Sequence, residues 1–564
     1  MLFIIINNII SGIFILIYGN RLGNNGAIYI INRIFIYNII YILIYIHSIL
    51  FKGQERRIVL YNWIQDISKN IELSIIIDNI TIIMSLLIIL ISYIIMKYSN
   101  WYIKEIRFKG YLYIFLSSML ILVSSRELIT LYIGWEWVGI SSYLLINYWY
   151  NNVYNNKAGI KAIFYNKVGD IAFILLILEV YNIYNNINNN YINYYNRDIL
   201  CIYIGIAAIA KSAQYIMHPW LGDAMAGPTP VSALLHAATM VTAGIILLSR
   251  TLLYNSYIWD YILFIGIITI IFGGITSLCQ NDIKKLIAFS TCSQLGYMFI
   301  LYNNMYSNLF HLFIHAFFKA LLFLCAGIII HYNNNEQDLR RLSLNRDIIY
   351  IFLFFASFSL FAFPFTSGYY SKENLILSMP YFPLLYIGSI LTLFYSYKLL
   401  YKLYYNNIIS SYSSIFIYSL YLILSVLLLG TIFLGYYTYT YFYSDIQYLL
   451  SSSLLLHVLP LFILITFIPY KLPYDIYSIL YIIYTLFNNK SYVDYIINKL
   501  SINSFISYYS YYKFLDKGIL EFFGPIGIFR LFVNNNIYSL SSYTKINIIF
   551  SFIILLIPFI YSWE

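Results

Sequence analysis

Long apolar runs succeed one another along this chain with short polar connections between them, the pattern of helices threading a lipid bilayer. A helix needs about 20 predominantly apolar residues to cross the hydrocarbon core. By that measure, spans are expected near 2–19, 28–51, 73–97, 110–125, 128–149, 160–181, 200–218, 231–250, 257–279, 284–302, 306–331, 348–366, 372–402, 413–437, 450–469 and 545–562. The run 372–402 is long enough for a half-helix followed by a full one. Residues 52–72 read as a polar connection with hairpin character, and 184–198 as an Asn/Tyr-rich surface loop. From about 485 to 543 the chain is too polar for a span and too apolar for a free linker, which fits a long helix lying along a membrane surface or a partner. No cleavable signal peptide is required, because the first apolar stretch runs on into a polytopic chain. The expected fold class is all-α: a polytopic membrane protein of about 16 transmembrane helices.

Several polar residues interrupt this pattern at bilayer depth, where a charged side chain costs about 2.5–3.5 kcal/mol on insertion scales. They are concentrated in KSAQYIMHPW from Lys211, GPTPVSALLHAATMVTAG from Gly227, and FHLFIHAFFKALLFLCAG from Phe310. The middle of the chain divides into two units of similar layout. In the first, a helix bearing Glu136 precedes one with Lys211, which runs into breaks at Pro219, Pro228 and Pro230. In the second, a helix with Lys319 precedes FAFPFTSGYYSKE, where Pro364 interrupts an apolar stretch ahead of Lys372 and Glu373. Proline removes an amide donor and clashes with the preceding turn. The freed backbone must then face protein or water. Broken helices at matching places in two halves point to an inverted-repeat transporter with sites near the midplane. The expected organisation is 1–109, N-terminal helices and hairpin; 110–256, first half-channel; 257–402, second half-channel; 403–484, additional helices; 485–543, a lateral amphipathic helix; and 544–564, a C-terminal anchor.

His311, His315 and Lys319 are spaced by four, so all three lie on one helix face. Imidazole titrates nearest neutral pH, and a row His–His–Lys can exchange protons in small steps. Two histidines four apart can instead ligate zinc, although no carboxylate or cysteine completes a site locally. A third reading is polar packing between helices. Glu136 lies between two tryptophans in a span with no other charge, and Lys211 is its natural partner, forming either a switching pair or a static ion pair. His236, just after a broken helix, is either a relay group or a packed histidine. Asp170 and Asp78 can cap helices or pair with Lys167 or another base. Asp282, Lys284 and Lys285 read as the loop start of a helix capped by Asp282. Lys398 reads as a lysine snorkelling to the interface.

Composition narrows the function classes. The chain is 61% hydrophobic and only 10% charged, against roughly 25% charged in soluble globules. Its net charge of +10 lies mainly in short connections such as Lys104 to Lys109 and Arg340–Arg341, where it orients helices and meets anionic head groups rather than nucleic acid. Four scattered cysteines (Cys201, Cys279, Cys292, Cys325) form no C-x-x-C pair, which argues against an iron–sulfur or zinc site. Neither G-x-G-x-x-G, nor a phosphate-binding loop, nor H-E-x-x-H occurs, so no nucleotide, redox centre or metal is expected in this chain. Heavy use of Tyr (64), Ile, Asn and Phe reflects AT-rich codons and points to an organellar genome.

The strings GWEWVGISSYLL (134–145), KSAQYIMHPWLGDAMAGPTPVSALLHAATMVTAG (211–244), DIKKLIAFSTCSQLGYM (282–298), FHLFIHAFFKALLFLCAG (310–327), NNEQDLRRL (334–342), FAFPFTSGYYSKEN (361–374) and LDKGILEFFGPIGIF (515–529) resemble the antiporter-like subunit 5 family of mitochondrial respiratory complex I, the proton-pumping NADH:ubiquinone oxidoreductase. The likeness is dense from about 73 to 375. It implies that Glu136 and Lys211 form the pair of one half-channel and that His236 relays laterally. It further implies that His311, His315 and Lys319 form the central stretch, and that Lys372 with Glu373 leads outward. Gly222 stands where many members have Pro, and Glu373 where Asp is usual; neither change removes a titratable group. The expected setting is the mitochondrial inner membrane, with other membrane-arm subunits and lipids such as cardiolipin as partners. FMN, iron–sulfur clusters and ubiquinone would belong to partner subunits. Two other readings remain open: a stand-alone cation/proton antiporter and an assembly scaffold.

Overall fold

The computed structural model describes residues 1–52, 55–66, 69–184, 197–251, 258–300, 305–342, 348–377, 382–405, 418–442, 474–524 and 527–530. The expected spans 450–469 and 545–562, the anchor 544–564, most of the 184–198 loop, Pro525 and residues 531–543 of the lateral segment lie outside them. Two units are distinguished, Met1–Ser491 and Tyr492–Glu564.

The first unit is built from helices whose apolar composition leaves them no stable alternative in lipid, where every backbone amide must be bonded within its own segment. Helix α1 (Leu2–Lys52) is broken at Gly23, whose φ of 66° suits a residue without Cβ. Its two arms double back, so that Asn38 donates to Asn8 at 3.0 Å and the Phe3 and Tyr41 rings lie 4.7 Å apart. The polar connection is a β-hairpin, β1 (Arg56–Asp66) antiparallel to β2 (Lys69–Ile77), an exception to the all-α expectation. Ser74 at its end donates to Glu127 at 2.7 Å.

Helices α2 (Asn79–Tyr102), α3 (Ile106–Ser124), α4 (Leu128–Ile146), α5 (Val153–Tyr184) and α6 (Arg197–Lys211) follow. Beyond them the expected spans 200–218 and 231–250 are not single helices. After Lys211 the chain leaves helical geometry, with positive φ at Ala213 (51°) and Ile216 (78°). It re-enters in α7 (Pro219–Asp223) and α8 (Thr229–Ala237), each with proline in its first turn, where the missing amide costs nothing. A second interruption directly after His236 separates α8 from α9 (Ala243–Arg250).

The second half contains α10 (Ile258–Cys279), α11 (Ile283–Ile300), α12 (Met305–Tyr332), α13 (Ile348–Phe361), α14 (Ser367–Leu377), α15 (Phe382–Tyr405), α16 (Tyr418–Phe442) and α17 (Tyr474–Asn488). The half-helix and full helix expected in 372–402 are α14 and α15. Positive φ at Ala362 (68°) and Phe365 (69°) marks the break ahead of α14. Helix α12 is the hub, packed on α2, α8, α11, α13, α14 and α16. The apolar window of Tyr306–Tyr332 is 100% buried, against 33% for Leu420–Tyr439, so the chemistry-bearing helix is sheathed and the outer one is not. Nine described helical spans, one of them the interrupted Thr229–Arg250, are long and apolar enough to cross a membrane.

In the second unit, α18 (Val493–Tyr511) continues through a π-helical stretch (Tyr512–Leu520) to Glu521–Phe523, with no buried residue in any of the three. These helices fall within 485–543, the stretch for which the sequence predicts a lateral helix.

Asp78 ties the two ends of the first half together. It caps α2 in a reciprocal box with Thr81, and Arg250 at the end of α9 pairs with the same carboxylate, Nη2 lying 3.2 Å from Oδ1. Burial raises the Asp78 carboxyl, but Arg250 and the Thr81 hydrogen bonds outweigh it and hold the group below its ordinary value. The pair therefore stabilises the fold above the ordinary aspartate range, and that contribution is lost as pH falls through the depressed value. Asp78→Asn keeps the cap and leaves Arg250 without its counter-charge, so local opening of 73–85 should become easier by about 3 kcal/mol. Hydrogen exchange of that peptide measures it; unchanged protection would show that Arg250 is satisfied elsewhere.

Candidate functional site

The first cluster lies where α4, α5 and α6 meet. Helical spacing puts Tyr132 one turn from Glu136, and its hydroxyl donates to Oε1 at 2.6 Å. Lys167 of α5 donates to both oxygens of Glu136, at 2.8 and 2.7 Å. The side chain of Lys167 is 53% exposed and that of Glu136 19%, so this end of the cluster opens to the flank of the chain. Three residues along α5, Asp170 is buried, accepts from the indole of Trp135 at 2.8 Å, and lies 3.5 Å from Lys167. Lys211 is fully buried at the last residue of α6. Its Nζ is 3.9 Å from Asp170 and donates to the Trp135 carbonyl at 3.2 Å, 5.2 Å from the centre of the Trp135 ring.

The expected Glu136–Lys211 contact is thereby corrected. Glu136 bonds Lys167, and the carboxylate beside Lys211 is Asp170, expected only as a supporting group. The reason is helix phase: Trp135 and Glu136 are neighbours on α4 and point to different sides, so Trp135, not Glu136, faces α6.

The second cluster runs along α12. Lys319 is fully buried, and its ammonium donates to Ser290 Oγ at 2.6 Å and lies 3.5 Å from the Ile287 carbonyl. One turn earlier, His315 Nδ1 is 3.3 Å from the Ala237 carbonyl, at the interruption after His236. His311 meets Ser371 at 2.9 Å through Nδ1 and Gln294 at 3.3 Å through Nε2. The His311 and His315 ring centres are 6.3 Å apart. Beyond Ser371 on α14, Lys372 is buried, donates to Thr392 at 2.7 Å, and has its Nζ 5.2 Å from the centre of the Tyr297 ring. Glu373 is buried next to it. His236 is buried between Trp220 and Phe323, ring centres 6.3 and 6.1 Å away, and neither of its ring nitrogens has a hydrogen-bond partner. His315 Nε2 is likewise unpartnered.

These histidine nitrogens meet carbonyl, hydroxyl and amide oxygens rather than converging on one point. Among the described residues no three His, Cys, Asp or Glu side chains gather in a way that could hold a metal. The row instead alternates titratable side chains with hydroxyl, carbonyl and amide groups at hydrogen-bond distance. Unpartnered buried ring nitrogens are costly unless water reaches them, and they lie where the two clusters approach each other.

Other groups depart from expectation. Lys284, expected in a loop start, is buried and donates to the Gly227 carbonyl at 3.2 Å, across the first helix break. Its neighbour Asp282 precedes α11 and pairs with Lys285 at 2.7 Å. Lys398 closes the end of α10 by donating to the carbonyls of Leu278 (2.6 Å) and Gln280 (2.7 Å). Ser290, Gln294, Ser371 and Thr392 escaped the sequence reading, since hydroxyls and amides are common between packed membrane helices. The usable signal was position, each lying one helix away from a buried base.

Comparison with known proteins places these features in context. Residues 63–111 match the family described as NADH-ubiquinone oxidoreductase (complex I), chain 5 N-terminus, and 125–394 match NADH:quinone oxidoreductase/Mrp antiporter, TM. Curated relatives include NADH-ubiquinone oxidoreductase chain 5 of Phytophthora infestans, 33% identical over 92% of this chain and 89% of the relative. The chain 5 protein of Metridium senile is 34% identical over 93% and 94%. Among solved structures, a chain of the Mrp complex from Dietzia sp. superposes with a TM-score of 0.70 at 20% identity, covering 83% of this chain and 56% of that one. A chain of an archaeal membrane-bound sulfane sulfur reductase gives 0.70 at 16%, covering 78% and 94%. At these identities the structural likeness is one of fold.

The geometry of the first cluster predicts which charges are coupled. Lys211→Met and Asp170→Asn should be non-additive in thermal stability by about 1–3 kcal/mol, whereas Lys211→Met with Glu136→Gln should show the smaller coupling. The reverse order in the two double-mutant cycles would restore Glu136 as the direct partner of Lys211.

Proposed function

This chain belongs to the family of NADH-ubiquinone oxidoreductase chain 5, and we propose on that basis that it is a proton-translocating membrane subunit of respiratory complex I. As such it is one subunit of an oxidoreductase, multi-pass in the membrane. In this reading NADH is oxidised by ubiquinone in partner subunits carrying FMN and iron–sulfur clusters, and this chain holds no redox centre. It works in the mitochondrial inner membrane beside other membrane-arm subunits and lipids such as cardiolipin, and is encoded in the organelle.

The observation that carries the proposal is the continuity of buried proton carriers between two broken helices. Residues 110–256 act as the first half-channel. Protonation or deprotonation of Asp170 changes the charge beside Lys211 by one unit, and Glu136 acts more remotely, through Lys167, which pairs with both carboxylates. At 3.9 Å and an effective dielectric constant near 20, the Asp170 change is on the order of 4 kcal/mol. Lys211 then exchanges its proton toward His236, whose open ring nitrogens accept water-borne protons. Residues 257–402 act as the second half-channel, in which Lys319, His315 and His311 pass the proton along one helix face to Lys372 and Glu373. Ser290, Gln294, Ser371 and Thr392 hold those bases in place. The segment 485–543, with no buried residue in its described helices from Val493 to Phe523, binds neighbouring subunits.

The stand-alone antiporter is separated from this reading by its company. Native purification should recover the chain with NADH-oxidising, quinone-reducing subunits, and the preparation should acidify vesicles on NADH addition. Recovery with cation-transport subunits alone would overturn the proposal. Within the complex, Ser290→Ala removes the hydroxyl that accepts from Lys319, a hydrogen bond to a charged group worth about 1.5–3 kcal/mol. NADH-driven proton transport should slow by about tenfold or more, while an unaffected rate would show that Ser290 does not position the ammonium.

A further inference from the structure

The loop after the first helix break carries an ion cluster that the proton path does not use. Asp223, the last residue of α7, is bridged by two ammonium groups, Lys161 of α5 and Lys490 beyond the end of α17. Its side chain is 33% exposed and that of Lys490 13%. Two further features show that the Lys490 contact is built rather than incidental. Lys490 and Ser491 both have positive φ, 54° and 56°, a conformation that non-glycine residues adopt only when the surroundings hold them. Space for the lysine is made by Gly222, where a Cβ would lie 3.2 Å from Lys490 Cε, 3.3 Å from its Nζ and 3.1 Å from Phe289. Helix α17 is also fastened to the neighbouring ends of α10 and α11: Gln280 donates to the Asn488 carbonyl at 3.1 Å, Asn281 to the Tyr484 hydroxyl at 3.3 Å, and Phe487 packs on Phe272 with ring centres 6.0 Å apart.

Phe272 in turn contacts the ring of His218, 4.4 Å away, immediately before α7. Trp220 of α7 donates to the Ala210 carbonyl at 3.1 Å, next to Lys211. The short helix α7 is thus held at one end to the Lys211 turn and at the other, through Asp223, to α17.

We infer that Lys490 and Asp223 form a positioning latch, by which the segment entering the C-terminal part of the chain sets the first helix break and hence the placement of Lys211. Lys490 meets Asp223 at the end of α7 and acts through that helix. A five-residue helix between two interruptions has little stability of its own, so its position is decided by what holds its ends. Lys161 alone leaves α7 tied to α5, which also carries Lys167 and Asp170. Lys490 adds the restraint from the opposite side.

The inference rests on the proton-translocation reading for its functional consequence, but the contact can be tested separately. Zero-length carbodiimide coupling of the intact native complex, followed by mass spectrometry, should yield an amide between Asp223 and Lys490 as well as one between Asp223 and Lys161. Absence of the Lys490 product from a digest that recovers both unlinked peptides overturns the latch. For the consequence, Lys490→Met in assembled complex should lower protons moved per NADH oxidised at least twofold and speed hydrogen exchange in 219–226, with Lys490→Arg restoring both. A wild-type ratio and unchanged exchange in Lys490→Met would overturn the latch while leaving proton translocation intact. If the unmodified complex moves no protons on NADH addition, it is the functional reading that fails, and the coupling experiment still decides the contact. If Lys490→Met does not assemble, Asp223→Glu, which keeps the charge but lengthens the side chain against Lys490, gives the same reading of ratio and exchange.

Discussion

An amine or imidazole removed from water must be met by an oxygen of the protein, and the interior of this chain is arranged around that requirement. Lys211 has the Trp135 carbonyl and Asp170, Lys284 the Gly227 carbonyl, Lys319 Ser290 and the Ile287 carbonyl, and Lys372 Thr392. A carbonyl in the middle of an intact helix is already bonded to the amide four residues on, so Trp135 and Ile287 offer only a second lone pair. Carbonyls at a helix break are less encumbered. Gly227 lies between α7 and α8, and Ala237, whose carbonyl meets His315, is the last residue of α8. The interruptions therefore solve two problems at once: they expose backbone oxygens at depth, and they use those oxygens to hold bases in an apolar environment.

The two halves meet this requirement differently. In the first, a carboxylate, Asp170, lies beside the base, and a second, Glu136, is held by a lysine that opens to the flank of the chain. A one-proton change at Asp170 is felt as a full charge at Lys211. In the second, the described partners of Lys319, His315 and His311 are hydroxyl, carbonyl and amide oxygens. Neutral partners position a base without fixing its protonation state, which suits relay along a helix face. Under the proposed function, the first half suits switching and the second conduction, with His236 between.

Much of this was legible in the sequence, because the signals were large: apolar runs of spanning length, prolines inside two of them, and bases where lipid tolerates none. The four-residue spacing of His311, His315 and Lys319 put them on one face, and the structure keeps them there. What the sequence could not supply was rotation of one helix against the next. Glu136 and Lys211 look like partners because each is a lone charge, yet Trp135 occupies the face toward α6 and Asp170 takes the role. Lys284 reads as a loop residue from its neighbours, and only the packing of α11 against the Gly227 break turns it inward. A polar connection with hairpin character was legible, but its two strands were not, and its docking through Ser74 on Glu127 pairs residues 53 positions apart and leaves no local trace. Gly222 is a similar case: its lack of a side chain acquires meaning only when Lys490 is placed beside it.

The central claim is that protons cross through the buried row that Lys319 connects. Its most direct test is the number of protons moved per NADH oxidised by reconstituted, fully assembled complex carrying Lys319→Met, which fills the same space without an exchangeable charge. The account predicts an intact complex whose ratio drops well below that of the unmodified one. An unchanged ratio in a normally assembled Lys319→Met complex would contradict it.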